Sequence, residues 1–193
     1  MKIHKIHIIA EGKSEKVYFA KLNRLSRELI DGVLLFEVYS CNGNNAKSAR
    51  EQWSTAQTKR DKKSNEEVLL VLDFDCFKRG DKDINAYNNF AKNNIYFFIM
   101  NFEDFLIQHL SKEKVLFWKG KMQQQNHFEN PLNSGEVAEK IKGVLPTYKK
   151  SEVPFEINTD SLQNLANNYK DFNHGNNNFI DILLAILQRH KII

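Results

Sequence analysis

From Ile3 to Leu110 the chain alternates short apolar runs with longer stretches whose apolar residues recur at helical spacing. Ile3 to Ala10 reads as a strand that ends abruptly at Glu11-Gly12. Ser14 is then a plausible helix cap with Glu15 in the first turn, and Val17, Tyr18, Leu22, Leu25 and Leu29 continue the helix to a stop at Gly32. Val33 to Tyr39 reads as a second strand and Ala46 to about Lys59 as a second helix, joined by a polar turn around Asn42-Gly43. Val68 to Leu72 is a continuous apolar run, as expected of a strand buried on both faces, and it leads straight into Asp73-Phe74-Asp75. Helix Ile84 to Lys92, strand Ile95 to Met100 and helix Phe102 to Leu110 complete the alternation. A β-α-β-α-β-α-β-α order calls for an α/β fold, with a mostly parallel four-stranded sheet and helices on both faces.

The rest of the chain is less regular. Lys119 to Pro131 is polar and Gln/Asn-rich and reads as a mobile loop. Glu136 to Val144, Ser161 to Phe172 and Phe179 to His190 read as helices, with a polar linker at Asn173 to Asn178 before the last. The expected organisation is a core over residues 1–115 and a helical C-terminal extension over 116–193, packed on that core within one domain. The amphipathic last helix is also a candidate for pairing two chains into a homodimer.

Bulk charge allows a polyanionic partner without requiring one. The net charge is +4 and the sequence pI about 8.9, with basic runs at Lys59, Arg60, Lys62 and Lys63 and at Lys78, Arg79 and Lys82. Solvated loops explain such runs equally well. Cys41 and Cys76 have no zinc-ligand spacing, which fits a reduced, cytoplasmic setting. The N-terminal apolar stretch is broken by His4, Lys5 and His7 and does not read as a signal peptide. No apolar run approaches the roughly 20 residues of a membrane span.

The chemistry lies in where the acids fall. Ligands of open parallel sheets bind at the carboxyl ends of the strands. Glu11 follows the first strand, Asp73 and Asp75 end the third, and Glu103 and Asp104 follow the fourth. If Asp73 and Asp75 continue the strand, their side chains point the same way. Close carboxylates repel unless a cation lies between them, and Mg²⁺ or Mn²⁺ takes oxygen ligands and completes its shell with water or phosphate. Glu15 stands four residues after Glu11, and Gly12 leaves room for a sharp bend or an approaching phosphate. Each signal has an ordinary explanation as a turn residue, a helix cap or a partner of the helix dipole. Convergence on one sheet edge is what raises the metal hypothesis above those.

The segment Glu11-Gly12-Lys13-Ser14-Glu15-Lys16-Val17-Tyr18-Phe19 resembles the opening motif of the toprim fold, and Asp73-Phe74-Asp75 resembles its Asp-x-Asp. The segment Asn101-Phe102-Glu103-Asp104-Phe105-Leu106-Ile107-Gln108-His109-Leu110 resembles the Phe-Glu…Leu-His motif of the toprim-containing RloB-like proteins, and Asn130-Pro131 and Tyr148-Lys149-Lys150 continue the likeness. The match runs over about residues 3 to 150. The resemblance implies a toprim-like, Rossmann-like sheet acting on phosphodiesters with one or two Mg²⁺ or Mn²⁺ ions. It implies Glu11 as general acid or base, Asp73 and Asp75 as metal ligands, and Glu15 at the spacing of the second glutamate of OLD-type toprim nucleases. Glu103 enters the ligand set only through the RloB-like pattern. A catalytic lysine is expected at Lys149 or Lys150. Cys76 and Phe77 stand where many toprim proteins carry a further acid. RloB-like proteins are associated with prokaryotic restriction and phage defence, which implies a defence effector with an activating partner protein.

No topoisomerase tyrosine domain, primase zinc motif or Walker motif is visible. The first functional reading is therefore a Mg²⁺- or Mn²⁺-dependent nuclease acting on DNA or RNA. Lys13, Lys78 and Arg79 are expected on the phosphate backbone. His109 is a candidate proton carrier or nucleic-acid contact, against the alternative of a buried helix-face histidine. A second reading is a regulatory module that binds nucleic acid or a nucleotide without cutting. A third makes the acids structural caps and turns.

Overall fold

The computed structural model describes residues 3–41, 45–64, 66–98, 100–169 and 178–193. Its elements run β1 (His4–Ala10), α1 (Lys13–Ile30), β2 (Leu34–Ser40), α2 (Ala46–Lys59), β3 (Glu67–Asp73), α3 (Asp75–Lys78), α4 (Ile84–Ala91), β4 (Ile95–Phe98), α5 (Phe102–Ile107), α6 (Lys112–Gln124), α7 (Ser134–Ile141), α8 (Thr159–Asn168) and α9 (Phe179–Arg189). The strands form one sheet in the order β2-β1-β3-β4, and every neighbouring pair is parallel. The protein is thus α/β with a Rossmann-like sheet. Ala10 lies level with Ser40 on one side and Val71 on the other, so β3 runs on past the end of β1.

Strand residues alternate between two apolar cores, as a period of two requires. Ile6, Ile8, Leu69 and Val71 face α1, α5 and the C-terminal helices, where Tyr18, Phe19, Phe105, Leu165 and Leu183 pack. Ile9, Leu70 and Leu72 face α2 and α4, meeting Ala49, Trp53, Tyr87 and Ala91. The helices α6 to α9 share the first core with the sheet, through Trp118, Ile141, Leu162 and Phe179. The apolar face of α9 is spent on this core, so it is not a free surface for pairing chains. Among the described residues no helix is long and apolar enough to cross a membrane.

Several local expectations are corrected. The stretch Lys119 to Pro131 is not a loop throughout, because α6 runs to Gln124. Val115, Trp118 and Met122 form a buried stripe at helical spacing, hidden in the sequence among lysines and glutamines that are themselves good helix formers. Asp75 does not continue strand β3. Phe74 is already in the right-handed helical region, and Asp75 opens the short helix α3. The N-cap of α1 is Gly12, not Ser14, which leaves Ser14 Oγ free to accept the Ser151 N–H at 3.1 Å. Helix α5 ends at Ile107, and the chain to Leu110 continues in tighter turns. Capping boxes at Asn133/Glu136 and Asn158/Ser161 start α7 and α8 slightly earlier than the apolar pattern suggests. The expected end of α8 at Phe172 and most of the Asn173–Asn178 linker lie outside the described residues.

Candidate metal centre

The chain leaves β1 through α1 on one face of the sheet and reaches β3 through α2 on the other. That reversal opens a crevice between the carboxyl ends of β1 and β3, the usual ligand site of such sheets. Glu11 is the first residue beyond β1 and Asp73 the last of β3. They meet there, with the Asp73 N–H donating to Glu11 Oε1 at 3.2 Å. Asp75 reaches the same edge from the first turn of α3, its N–H held by the Met100 carbonyl at 2.8 Å. Glu15 comes from the first turn of α1, and Glu103 from the first turn of α5. Glu11, Glu15, Asp75 and Glu103 are all buried.

Gly12 has an extended backbone that any residue could adopt, so its role is one of space. A Cβ at that position would lie 3.0 Å from Glu15 Oε2. The missing side chain lets the Glu15 carboxylate fold back over the turn toward the Glu11 end of β1.

The electrostatics of the crevice are those of crowded, poorly solvated acids. Burial pushes Asp73 well above the usual carboxylate range, and Glu11, Glu15, Asp75 and Glu103 push it further. Burial raises Glu15 to about 7, with Glu11 and Glu103 adding to the shift and the backbone N–H groups of Glu15 and Gly12 opposing it. Glu103 is also raised by burial, against the pull of a 2.6 Å hydrogen bond from the Tyr148 hydroxyl. Two cations from the segment after β3 meet these acids. Lys82 Nζ donates to Glu11 Oε1 at 2.8 Å, and an Arg79 guanidinium nitrogen donates to Asp75 Oδ2 at 2.9 Å. Asp73 Oδ1 and Asp75 Oδ1 remain buried with no hydrogen-bond donor.

Among the described residues no three His, Cys, Asp or Glu side chains stand ready around one point as ligands. The donor set nevertheless fits a hard dication. Every candidate ligand is a carboxylate oxygen, two such oxygens lack any donor, and the repulsion among the acids is what a cation would relieve. Mg²⁺ needs only one or two protein carboxylates, so a full preformed cage is not required.

The other residues singled out in the sequence divide clearly. Lys13 is exposed at the start of α1. Lys150 is exposed and close enough to Glu103 to stabilise its charge. Lys149 is 75% exposed and lies 3.9 Å from Glu152, an ion pair on the surface. Lys78 is bound to the Phe128 carbonyl and to Glu129. Arg79 is held by Asp75, Asp81 and the Leu132 carbonyl, so its guanidinium is engaged within the protein. His109 is not at the acidic edge. It is buried, its Nδ1 against the Phe105 carbonyl at 3.1 Å and its Nε2 against the Tyr18 hydroxyl at 2.9 Å, and burial lowers its pKa to about 4. The alternative reading holds as to burial, but His109 sits in the turn after α5 and not on a helix face. Asp104 also turns away from the edge. Its carboxylate accepts from Trp118 Nε1 at 2.7 Å and from His127 Nε2 at 3.1 Å, entirely inside the core.

Sequence reasoning missed Lys82 as a partner of Glu11 and Tyr148 as a partner of Glu103. Lys82 was visible only as one member of a basic run, and nothing local distinguishes it from Lys78. Tyr148 was visible only through the family likeness. Comparison of the chain with family models, with curated proteins and with solved structures gives no match.

Proposed function

We propose that this protein is a Mg²⁺- or Mn²⁺-dependent nuclease that hydrolyses phosphodiester bonds at the β1/β3 crevice. The observation that carries the reading is the pair of buried, donorless oxygens, Asp73 Oδ1 and Asp75 Oδ1, at the switch point of a parallel sheet and amid further acids. Asp73, Asp75 and Glu11 would hold one ion, and Glu15 and Glu103 would extend the set toward a second. Bound metal supplies Lewis-acid charge for activating water and for stabilising the departing oxygen. In the metal-free crevice burial raises Glu15 to about 7, and a bound dication would favour its ionised, ligating form. Tyr148 orients Glu103 through its hydroxyl. Lys13 and Lys150, both exposed at the rim, would draw in the phosphate backbone without reading sequence. The likeness to RloB-like toprim proteins adds a setting in prokaryotic defence and an activating partner protein.

A second reading follows from the Lys82–Glu11 and Arg79–Asp75 pairs, which offset part of the acidic charge without metal. It is a regulatory module that binds nucleic acid or a nucleotide and cuts nothing.

The test is cleavage of labelled single- and double-stranded DNA and of tRNA in Mg²⁺ and in Mn²⁺, comparing wild type with Glu11→Ala and Asp73→Ala. The nuclease reading expects metal-dependent cleavage by wild type and at least a hundredfold loss in both variants. Undiminished cleavage by the variants would remove the site from the reaction. Tight binding in fluorescence anisotropy with no product in any metal would favour the regulatory module.

A further inference from the structure

The side chain of Lys82 is only 11% exposed and reaches the centre of the acidic crevice from the segment just before α4. Its backbone position is fixed by the next residue, because Asp83 caps α4 through its side chain on the Asn85 N–H at 2.9 Å. Its ammonium lies 2.8 Å from Glu11 Oε1, the same oxygen that accepts the Asp73 N–H, and 5.7 Å from the centre of the Phe77 ring. Arg79 makes the corresponding pair with Asp75. Lys82 carries its charge on a four-carbon stem with a compact, rotatable head.

We propose that Lys82 is a resident counter-ion for Glu11, which a divalent metal must displace to bind, so that this lysine sets the metal affinity of the crevice. The inference rests on the metal-centre reading above and deepens it. A dication bonded to Glu11 would face the ammonium at close range, and like charges cannot share that carboxylate cheaply in a poorly solvated site. The ammonium would then leave Glu11 and stay near the Phe77 ring, still at the crevice where a substrate phosphate would enter. Metal binding and exposure of a phosphate-binding cation become one event. In the metal-free protein the same pair keeps a buried carboxylate from standing alone.

The experiment is Mn²⁺ binding to the full chain, by titration calorimetry and by the loss of the free-ion electron paramagnetic resonance signal. Wild type is compared with Lys82→Met, which keeps the apolar stem without the charge, and with Lys82→Arg, which keeps the charge. Lys82→Met should bind Mn²⁺ about tenfold more tightly than wild type, and Lys82→Arg should stay near wild type. Lys82→Met should also melt lower than wild type in EDTA and regain the difference when Mn²⁺ is added. Lys82→Gln serves the same comparison if the methionine variant does not fold. Binding by wild type that is unchanged or weakened in the neutral variants would overturn the counter-ion role while leaving the metal centre standing. Absence of Mn²⁺ binding in every protein, at millimolar metal, would overturn the metal centre and this inference with it.

Discussion

Glu15 and Asp73 are the residues at which the crevice departs furthest from ordinary behaviour, and each gives a prediction. A carboxyl group raised from 4.5 to about 7 favours the folded state fully below about 4.5, and that advantage is lost as pH climbs through about 7. His109, lowered from 6.5 to about 4, has the opposite slope, its stability being lost as pH falls from 6.5 through 4. The two partly cancel in wild type, so the diagnostic quantity is a difference. Glu15→Gln should gain stability on wild type in EDTA as pH rises from 4.5 to 7.5, by about 3 kcal/mol at the top, read from paired urea titrations. Asp73→Asn removes one of several repelling acids. It should stabilise the metal-free protein at pH 8 by about 1 kcal/mol, seen as a higher melting temperature in EDTA. A loss of stability instead would mark Asp73 as a structural turn residue. The positions of Glu11, Asp73 and Glu103 were legible because each follows an apolar strand. That Glu15 fills the space a Cβ at position 12 would need was not, because the fold-back of its carboxylate depends on the exact start of α1.

Between elements, the buried Asp104–His127 pair ties α5 to the segment joining α6 and α7. His127 Nδ1 accepts the Leu132 N–H at 2.9 Å, so its proton sits on Nε2 and is donated to Asp104. Leu132 in turn offers its carbonyl to Arg79, the residue that grips Asp75. His127→Ala should therefore cost about 3 kcal/mol in denaturant unfolding, since it leaves a buried carboxylate and a backbone N–H short of partners. The sequence pattern assigned this region to a loop. Val115, Trp118 and Met122 carry the helical period there, but their hydrophobic signal is diluted by Lys119 and Lys121 between them and by the run Gln123-Gln124-Gln125 that follows. Helix α3 escaped for a different reason, since a four-residue helix has no period to detect.

Across the whole molecule, one core joins the sheet to the C-terminal helices, and α9 is part of it rather than an accessory. Leu183 is fully buried in that core. Leu183→Ala should lower stability by about 3 kcal/mol, with a single transition and an unchanged dependence on denaturant. A separate early transition for the C-terminal helices would show that the extension unfolds on its own.

The alternation of the four strands with the helices that join them, the parallel sheet and the edge at which Glu11, Asp73 and Glu103 gather were determined by the sequence alone. They rest on local periodicity and on the rule that parallel strands end together, both properties of a linear chain. Which charges face one another was decided only by the tertiary structure. Lys82 lies 71 residues from Glu11, Tyr148 lies 45 from Glu103, and Trp118 and His127 draw Asp104 into the core from positions 14 and 23 residues away. Pairing energy depends on separation in space and on exclusion of water, and neither is encoded in the spacing of residues along the chain.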